Sequence, residues 1–352
     1  MNDRVEINHR TWQGRSAEQL GYEMTPAQMK RYTVPRKTLR GSREFNVAFA
    51  DGRQKDTDPI IIMMPPYDQR VDELYASQIG ITAAHRHALV ATADPDVTID
   101  LRNPWKTTGD HRPISEILQS FSGNYDSLAR TIVGGIDAVL NLADGSEIEV
   151  QGPSHGTAPA VSLAGMILRK EYPYKVQYLD LIDPVNARSS NIIHNLKLLS
   201  DLLGTEAHLL KEVLDENTFI GHGNMVPYEN VSPENAAIMR RLRRRQSLQT
   251  LLGGAGLRKG IDKPIIKLLT DPVTNRMARK MAITFFHGAD STVSLQSDIN
   301  PTVDAINTLG GNAQSVVLFD PEGSKVGHHF RNSLGKTAEL AIAMAEDRAE
   351  HY

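Results

Sequence analysis

The stretch GSEIEVQGPSHGTAPAVSLAGMILRK, residues 145–170, decides the fold. It opens on a short strand pattern, EIEVQG (147–152). It then passes through Gly152-Pro153-Ser154-His155-Gly156 and continues as a helix that starts with small residues, TAPAVSLAG. A serine with a glycine two residues to either side, set between a strand and a helix, has a definite physical meaning. The chain turns so sharply that the serine is forced into a strained backbone conformation, and a side chain at either glycine would clash. The serine oxygen then stands above the sheet, and the N-terminus of the helix behind it favours developing negative charge. The small residues let that helix sit close to the sheet.

Outward from this turn, strand patterns recur. IIIMM (60–64) is a continuous apolar run cut off by Pro65 and Pro66. A strand that is apolar on every residue is buried on both faces, as in a mostly parallel sheet covered by helices. ALVATADPD (88–96), EIEVQG itself, KVQYLDLIDP (175–184), MAITFFHG (281–288) and AQSVVLFDP (313–321) read the same way. REFNVAFADGRQKDTDP (43–59) alternates Phe45, Val47 and Phe49 and ends at the turn signal Asp51-Gly52, which predicts a first strand or hairpin. YDSLARTIVGGIDAVLNLA (125–143) lines up Leu128, Ile132, Ile136, Val139 and Leu140 on one helical face, and KTAELAIAMAEDRAE at the C-terminal end is a second amphipathic helix. Strands alternating with helices predict an α/β fold in three layers, a mostly parallel central sheet with helices on both faces.

Two stretches break the alternation. Residues 1–44 are polar, basic and without sustained apolar periodicity, and read as an N-terminal arm or accessory element. Residues 186–274 are helical by pattern (IIHNLKLLSDLLG, AHLLKEVLDE, PENAAIMRRLRRRQSLQTLLGG) and read as a helical cap inserted into a core formed by 45–185 and 275–352. Leu198, Leu199, Leu202, Leu203 and Leu209 either line a substrate pocket there or form the cap's own core.

Composition narrows the chemistry. The chain has 352 residues, 40% of them hydrophobic, and a formal net charge of -3, so no overall basic field points to nucleic acid. It contains no cysteine, which excludes thiolate nucleophiles, disulfides and cysteine-bound zinc. The N-terminus lacks the apolar core of a signal peptide, and no run reaches the ~18 apolar residues of a membrane span. The expectation is a cytoplasmic protein that needs no cofactor or metal. Its partner would be a small molecule bearing a carbonyl group, and a homo-oligomer is allowed.

Two later passages supply chemistry for Ser154. In MAITFFHGADSTVS an apolar strand ends at His287-Gly288-Ala289-Asp290, placing Asp290 at a strand's C-terminal edge, where open α/β sheets gather ligands and catalytic groups. SVVLFDPEGSKVGHHF then brings a strand, a loop and Gly327-His328-His329-Phe330. With this turn, the His-Gly-x-Asp-x-x-Val string and the Gly-His-x-Phe string, taken in the order Ser, Asp, His, residues 45–185 and 275–352 resemble the α/β-hydrolase family. The resemblance implies Ser154 as nucleophile, His328 as the base that takes its proton, and Asp290 as the acid that orients His328. Asp183, at the end of LDLIDP, is the alternative acid, and His329 the alternative base. The family has two residues between the glycine and the aspartate where this chain has one.

The resemblance also implies an oxyanion hole made by the backbone N–H of His155 and a second N–H from the turn after IIIMM. A His-Gly pair usually stands at that turn. Here it is Pro65-Pro66-Tyr67, and because proline has no N–H, Tyr67 or its neighbour Asp68 must donate. The function so implied is hydrolysis of an ester, thioester or amide through an acyl-enzyme. Two alternatives stand beside it: an inactive fold serving as a binding or assembly module, and a cofactor-free peroxidase or acyltransferase using the same residues. A dehalogenase would need a carboxylate in place of Ser154.

Other conspicuous residues carry less. Arg240-Arg241-Leu242-Arg243-Arg244-Arg245 spreads its charge around a helix, as a solvated face does, although an acidic partner or steering of an anionic substrate fits as well. His85 and His87 lie two apart without a third metal ligand. His222 reads as a polar loop residue, with a place in the substrate cleft as the alternative. Gly253-Gly254-Ala255-Gly256 lacks the features of a phosphate loop and reads as a helix end. Asp94-Pro95-Asp96 ends a strand.

Overall fold

The computed structural model describes residues 9–13, 23–35, 42–65, 73–94, 114–190, 220–221, 224–225, 256–291, 293–319 and 334–350. The strands are β1 (His9–Gln13), β2 (Gln28–Pro35), β3 (Ser42–Asp51), β4 (Ile60–Met63), β5 (Leu89–Asp94), β6 (Glu147–Pro153), β7 (Lys175–Ile182), β8 (Ile220–Gly221), β9 (Asn224–Met225), β10 (Ala282–Gly288) and β11 (Asn312–Phe319). The helices are α1 (Glu73–Arg86), α2 (Ile114–Phe121), α3 (Asp126–Leu140), α4 (Thr157–Leu168), α5 (Asp262–Thr270), α6 (Asn275–Ala278), α7 (Gln296–Thr308) and α8 (Leu334–Glu350).

Nine strands form one sheet in the order β1-β11-β10-β7-β6-β4-β5-β3-β2, and β8 and β9 pair separately. Every pairing from β1 across to β5 is parallel. Only β3 runs against its neighbours β5 and β2. Helices cover both faces, and the turn at Ser154 follows the strand at the centre of the order. The architecture is the expected α/β one, a mostly parallel central sheet with helices on both faces.

The ladder register sorts the side chains. Val150, Leu179, Ile283 and Phe285 share one face with Ile62 and Met64, and Ile132 and Ile136 of α3, Leu163 of α4, Ile265 of α5 and Val303 of α7 close over them. Burying each such side chain contributes roughly 1.5–3 kcal/mol. On the other face α1 and α8 pack together over the sheet. Its apolar parts are two separate clusters. One holds Ile61, Met63, Ile79 and Val90, and the other Ile182, Phe286, Val316, Leu318 and Met344.

Two boundaries differ from the sequence reading. Residues 9–13 and 28–35, within the stretch read as an arm, are the two edge strands of the sheet, paired along β11 and β3. An edge strand is held mainly by its main-chain ladder and needs no apolar alternation, which is why no pattern marked them. Residues 256–270, read as part of the cap, place Leu257, Ile261, Ile265, Leu268 and Leu269 in the main core. The two ends of the interruption are joined there: Ser190 N–H donates to Arg258 C=O at 2.9 Å, and Asp262 N–H to Ala187 C=O at 3.1 Å. The cap leucines and the Arg240–Arg245 run lie outside the described residues.

Candidate active site

β6 ends at Pro153 in an extended conformation (φ -82°, ψ 140°), and Ser154–Gly156 form a single tight turn before α4. Ser154 has φ 51°, the left-handed region that a residue with a Cβ enters only under strain. The flanking glycines are demanded by contact. A Cβ on Gly152 would lie 2.4 Å from the carbonyl oxygen of Gly156 and 2.7 Å from Ala160 Cβ, and one on Gly156 would lie 2.4 Å from the carbonyl oxygen of Met64. The serine therefore carries the strain while the glycines supply the room.

The turn is closed on its helix side by Thr157, whose hydroxyl donates to Ser154 C=O at 2.7 Å. The His155 ring is buried, 4% exposed, and packs T-shaped with Tyr125, the ring centroids 5.3 Å apart and the planes at 77°. Beside it, Met64 N–H donates to Gln151 C=O at 2.7 Å, extending the β4–β6 ladder by one bond. The turn read as the source of the second oxyanion donor thus begins against Gly156, at Met64 and Pro65. Tyr67 and Asp68 lie outside the described residues, as do His328, His329, His222 and Asp96.

The two candidate acids sit in unlike places. Pro153 pairs with Ile182 in the β6–β7 ladder, so Ser154 and Asp183 leave adjacent strand ends side by side. Asp183 also has a left-handed backbone, φ 47°, and is 2% exposed. Its N–H donates to Phe286 C=O at 2.6 Å, and its Oδ2 accepts the Ser291 hydroxyl at 3.2 Å. Asp290 is exposed, in the turn that follows β10. That turn is fixed by Ala289 N–H to Leu318 C=O at 3.0 Å and Ser291 N–H to Gly288 C=O at 3.1 Å. The sequence reading passed over Ser291 and His287. The latter is 1% exposed at the C-terminal end of β10, and its place inside the His-Gly-x-Asp string was the available signal.

Three to five residues back along the strands, about 10–17 Å below the turn, the sheet carries charges that the reading of these strands as apolar on both faces had missed. Arg86 of α1 donates to both oxygens of Glu149 at 2.8 Å. Arg348 of α8 donates to the two oxygens of Asp180 at 2.6 and 2.8 Å and to Asp347 at 2.7 Å, and lies 3.7 Å from Glu149. Its guanidinium stacks on Tyr178, 3.8 Å from the ring centroid. Gln151 donates to Asp180 at 3.3 Å, Thr284 to Asp347 at 3.3 Å, and Gln314 to Asp347 as well. Burial pushes the Glu149 carboxyl up, but Arg86 and Arg348 outweigh it and hold the group below the usual carboxylate range. Asp180 moves the other way, lifted by burial against the pull of Arg348, with the Glu149 charge adding to the lift.

Among the described residues no group of three or more His, Asp or Glu is arranged to hold a metal ion. His87 Nδ1 lies 3.1 Å from Gln54 Nε2, and burial pushes the His85 imidazole below its ordinary pKa. Gly256, the end of the glycine-rich run, is required by a close approach, since a Cβ there would lie 1.9 Å from Ser120 C=O. No helix among the described residues is long and apolar enough to cross a membrane.

No protein-family model and no curated protein matches the chain. Among solved structures it is similar to the thioesterase domain from the curacin biosynthetic pathway (14% identity, TM-score 0.48, 91% of this chain and 98% of that one). It is also similar to a hyperthermophilic esterase from the archaeon Pyrobaculum calidifontis (14%, TM-score 0.47, 92% and 83%). A third is a thermophilic esterase from Thermogutta terrifontis (13%, TM-score 0.46, 92% and 97%).

Proposed function

We propose that the protein is a serine hydrolase that cleaves an ester, thioester or amide through an acyl-enzyme on Ser154. The observation that carries this reading is the backbone of Ser154. A non-glycine residue held at φ 51°, between two glycines that admit no side chain and at the head of a buried helix, is strain kept at one serine. In the reaction His328 takes the Ser154 proton as the oxygen attacks the substrate carbonyl carbon. The tetrahedral oxyanion is held by the N–H groups of His155 and Tyr67. The C–O, C–S or C–N bond then breaks, and His328 returns the proton to the leaving group. Water, deprotonated by the same histidine, releases the acid and restores Ser154. Asp290 is the acid assigned to orient His328.

The test is fluorophosphonate labelling together with hydrolysis of short- and long-chain p-nitrophenyl esters by the wild type and by Ser154→Ala. Labelling and turnover should both disappear in the variant. Asp290→Asn should keep the fold and lower kcat by about 10⁴. A wild-type protein that neither labels nor turns over any ester leaves the binding-module reading in place of this one.

A further inference from the structure

Asp183 and Asp290 are both carboxylates at the C-terminal edge of the sheet, and the hydrogen bonds between their two loops divide the work. Asp183 Oδ2 accepts the hydroxyl of Ser291 at 3.2 Å, and the same hydroxyl oxygen accepts the N–H of Ser294 at 3.1 Å. Ser291 is therefore held from both sides, between a carboxylate on β7's end and the backbone leading into α7. All three serine and aspartate groups of this relay are buried: Asp183 at 2%, Ser291 at 8% and Ser294 at 2% exposure. Asp290, the neighbour of Ser291, is exposed at the tip of the same loop. The base of the loop is independently fixed by the Ala289 and Ser291 N–H groups. The backbone of a two-residue turn leaves its neighbours little freedom, so a clamp on Ser291 also restricts the backbone of Asp290.

Asp183 is itself clamped. Its N–H to Phe286 C=O bond of 2.6 Å ties it to β10, the strand that delivers the loop, and its left-handed backbone turns it out of the β7 line. The ladder pairs Pro153 with Ile182, so Asp183 follows the strand end adjacent to that of Ser154 while it bonds the loop that carries Asp290.

We infer that Asp183 is a positioning residue which, through the Ser291 hydroxyl, fixes the loop that presents Asp290, and that it is not the acid of the triad. This rests on the serine-hydrolase reading above. It assigns the two carboxylates different requirements. Asp290 needs its negative charge to stabilise a protonated histidine, whereas Asp183 needs only an acceptor oxygen for Ser291.

The experiment compares Asp183→Asn, Asp183→Ala, Ser291→Ala and Asp290→Asn in the full-length enzyme. For each it follows fluorophosphonate labelling, kcat, KM and the pH dependence of kcat/KM on a p-nitrophenyl ester, with thermal unfolding as the fold control. Asp183→Asn keeps an acceptor oxygen and should hold kcat within about fivefold of wild type. Asp183→Ala and Ser291→Ala should lower kcat about ten- to a hundredfold with KM nearly unchanged, the effect of a misplaced catalytic group. Their acidic limb should move to lower pH, because a base deprived of a well-placed carboxylate loses its proton more readily. An Asp183→Asn enzyme as inactive as Asp290→Asn would overturn the inference and make Asp183 the acid. So would a Ser291→Ala enzyme with wild-type kcat and pH limb. A wild-type enzyme that labels with no probe removes the parent reading and this inference with it, an outcome distinguishable from both others.

Discussion

The two faces of the sheet are held by different physics. On one, Val150, Leu179, Ile283 and Phe285 meet α3, α4, α5 and α7 in a continuous apolar core. On the other, the same strands present Glu149, Gln151, Asp180 and Thr284 to α1 and α8, with apolar clusters only at the margins. Apolar burial is non-directional and stabilises many nearly equivalent packings. A guanidinium bonded to both oxygens of a carboxylate accepts only one placement. The helices held in this second way are the two that follow, in the chain, the segments holding the Tyr67 and His328 proposed above for the reaction. α1 comes directly after the segment containing Tyr67, and α8 directly after the segment containing His328. The difference teaches that the apolar face supplies most of the stability, while the polar face fixes where those two helices sit.

That division can be broken most forcefully at Arg348. Arg348→Met leaves Asp180 buried without the guanidinium whose Nη2 bonds both its oxygens and should destabilise the protein by about 3–5 kcal/mol in urea unfolding. Replacing Asp180 by Leu in the same chain should recover much of the loss, because an apolar pair needs no compensation. If the single variant costs less than a surface change, the polar face does not hold α8. On the apolar face, Ile132→Ala should cost about 3 kcal/mol, with no partner substitution able to restore it. Recovery by a second mutation there would erase the contrast.

Acid sharpens it further. Glu149 is held below its unfolded pKa, so its contribution is complete above about pH 4.5 and is lost as pH falls through the folded value. Asp180 is raised, so the folded state binds its proton more readily, and its contribution declines as pH rises from about 3.8 through the folded value. Urea titrations between about pH 3 and pH 7 should therefore show Glu149→Gln and Asp180→Asn changing the slope of stability against pH in opposite senses. Slopes altered in the same sense would mean that the two carboxylates act as one group. The smallest effect is expected at the surface. Arg130→Ala, which removes an exposed ion pair with Glu171, should shift stability by no more than about 0.5 kcal/mol. A larger loss would show that charge pairs outside the sheet carry weight too.

Much of this architecture was legible in the sequence. The central strands, the helix over Leu128–Leu140 and the turn at Ser154 followed from apolar runs and two glycines, because those signals are local. β1 and β2 were not legible, since a ladder at an edge leaves no apolar signature. The polar face was misread. EIEVQG and KVQYLDLIDP were taken as apolar on both sides, whereas Glu149 and Gln151 alternate with Ile148 and Val150, and the alternation marks one face as polar. What pattern alone cannot supply is the partner: Arg348 lies 168 residues from Asp180. Around the candidate site, the sharp turn at Ser154 and the position of Asp290 just after a strand were legible. The bond from Ser291 to Asp183 spans 108 residues and had no sequence signature.

The pairing of β1 with β11 sets an order of events during synthesis. His9–Gln13 leaves the ribosome roughly 300 residues before the strand it lies along. Until Asn312–Phe319 has been made, the first strand has no place to go, and until the first strand returns, the outer edge of β11 stays open to any other strand. Docking of β1 therefore cannot precede synthesis of the last strand of the sheet. A nascent chain, or one truncated before β1, exposes the edge of β11 to pairing with another chain.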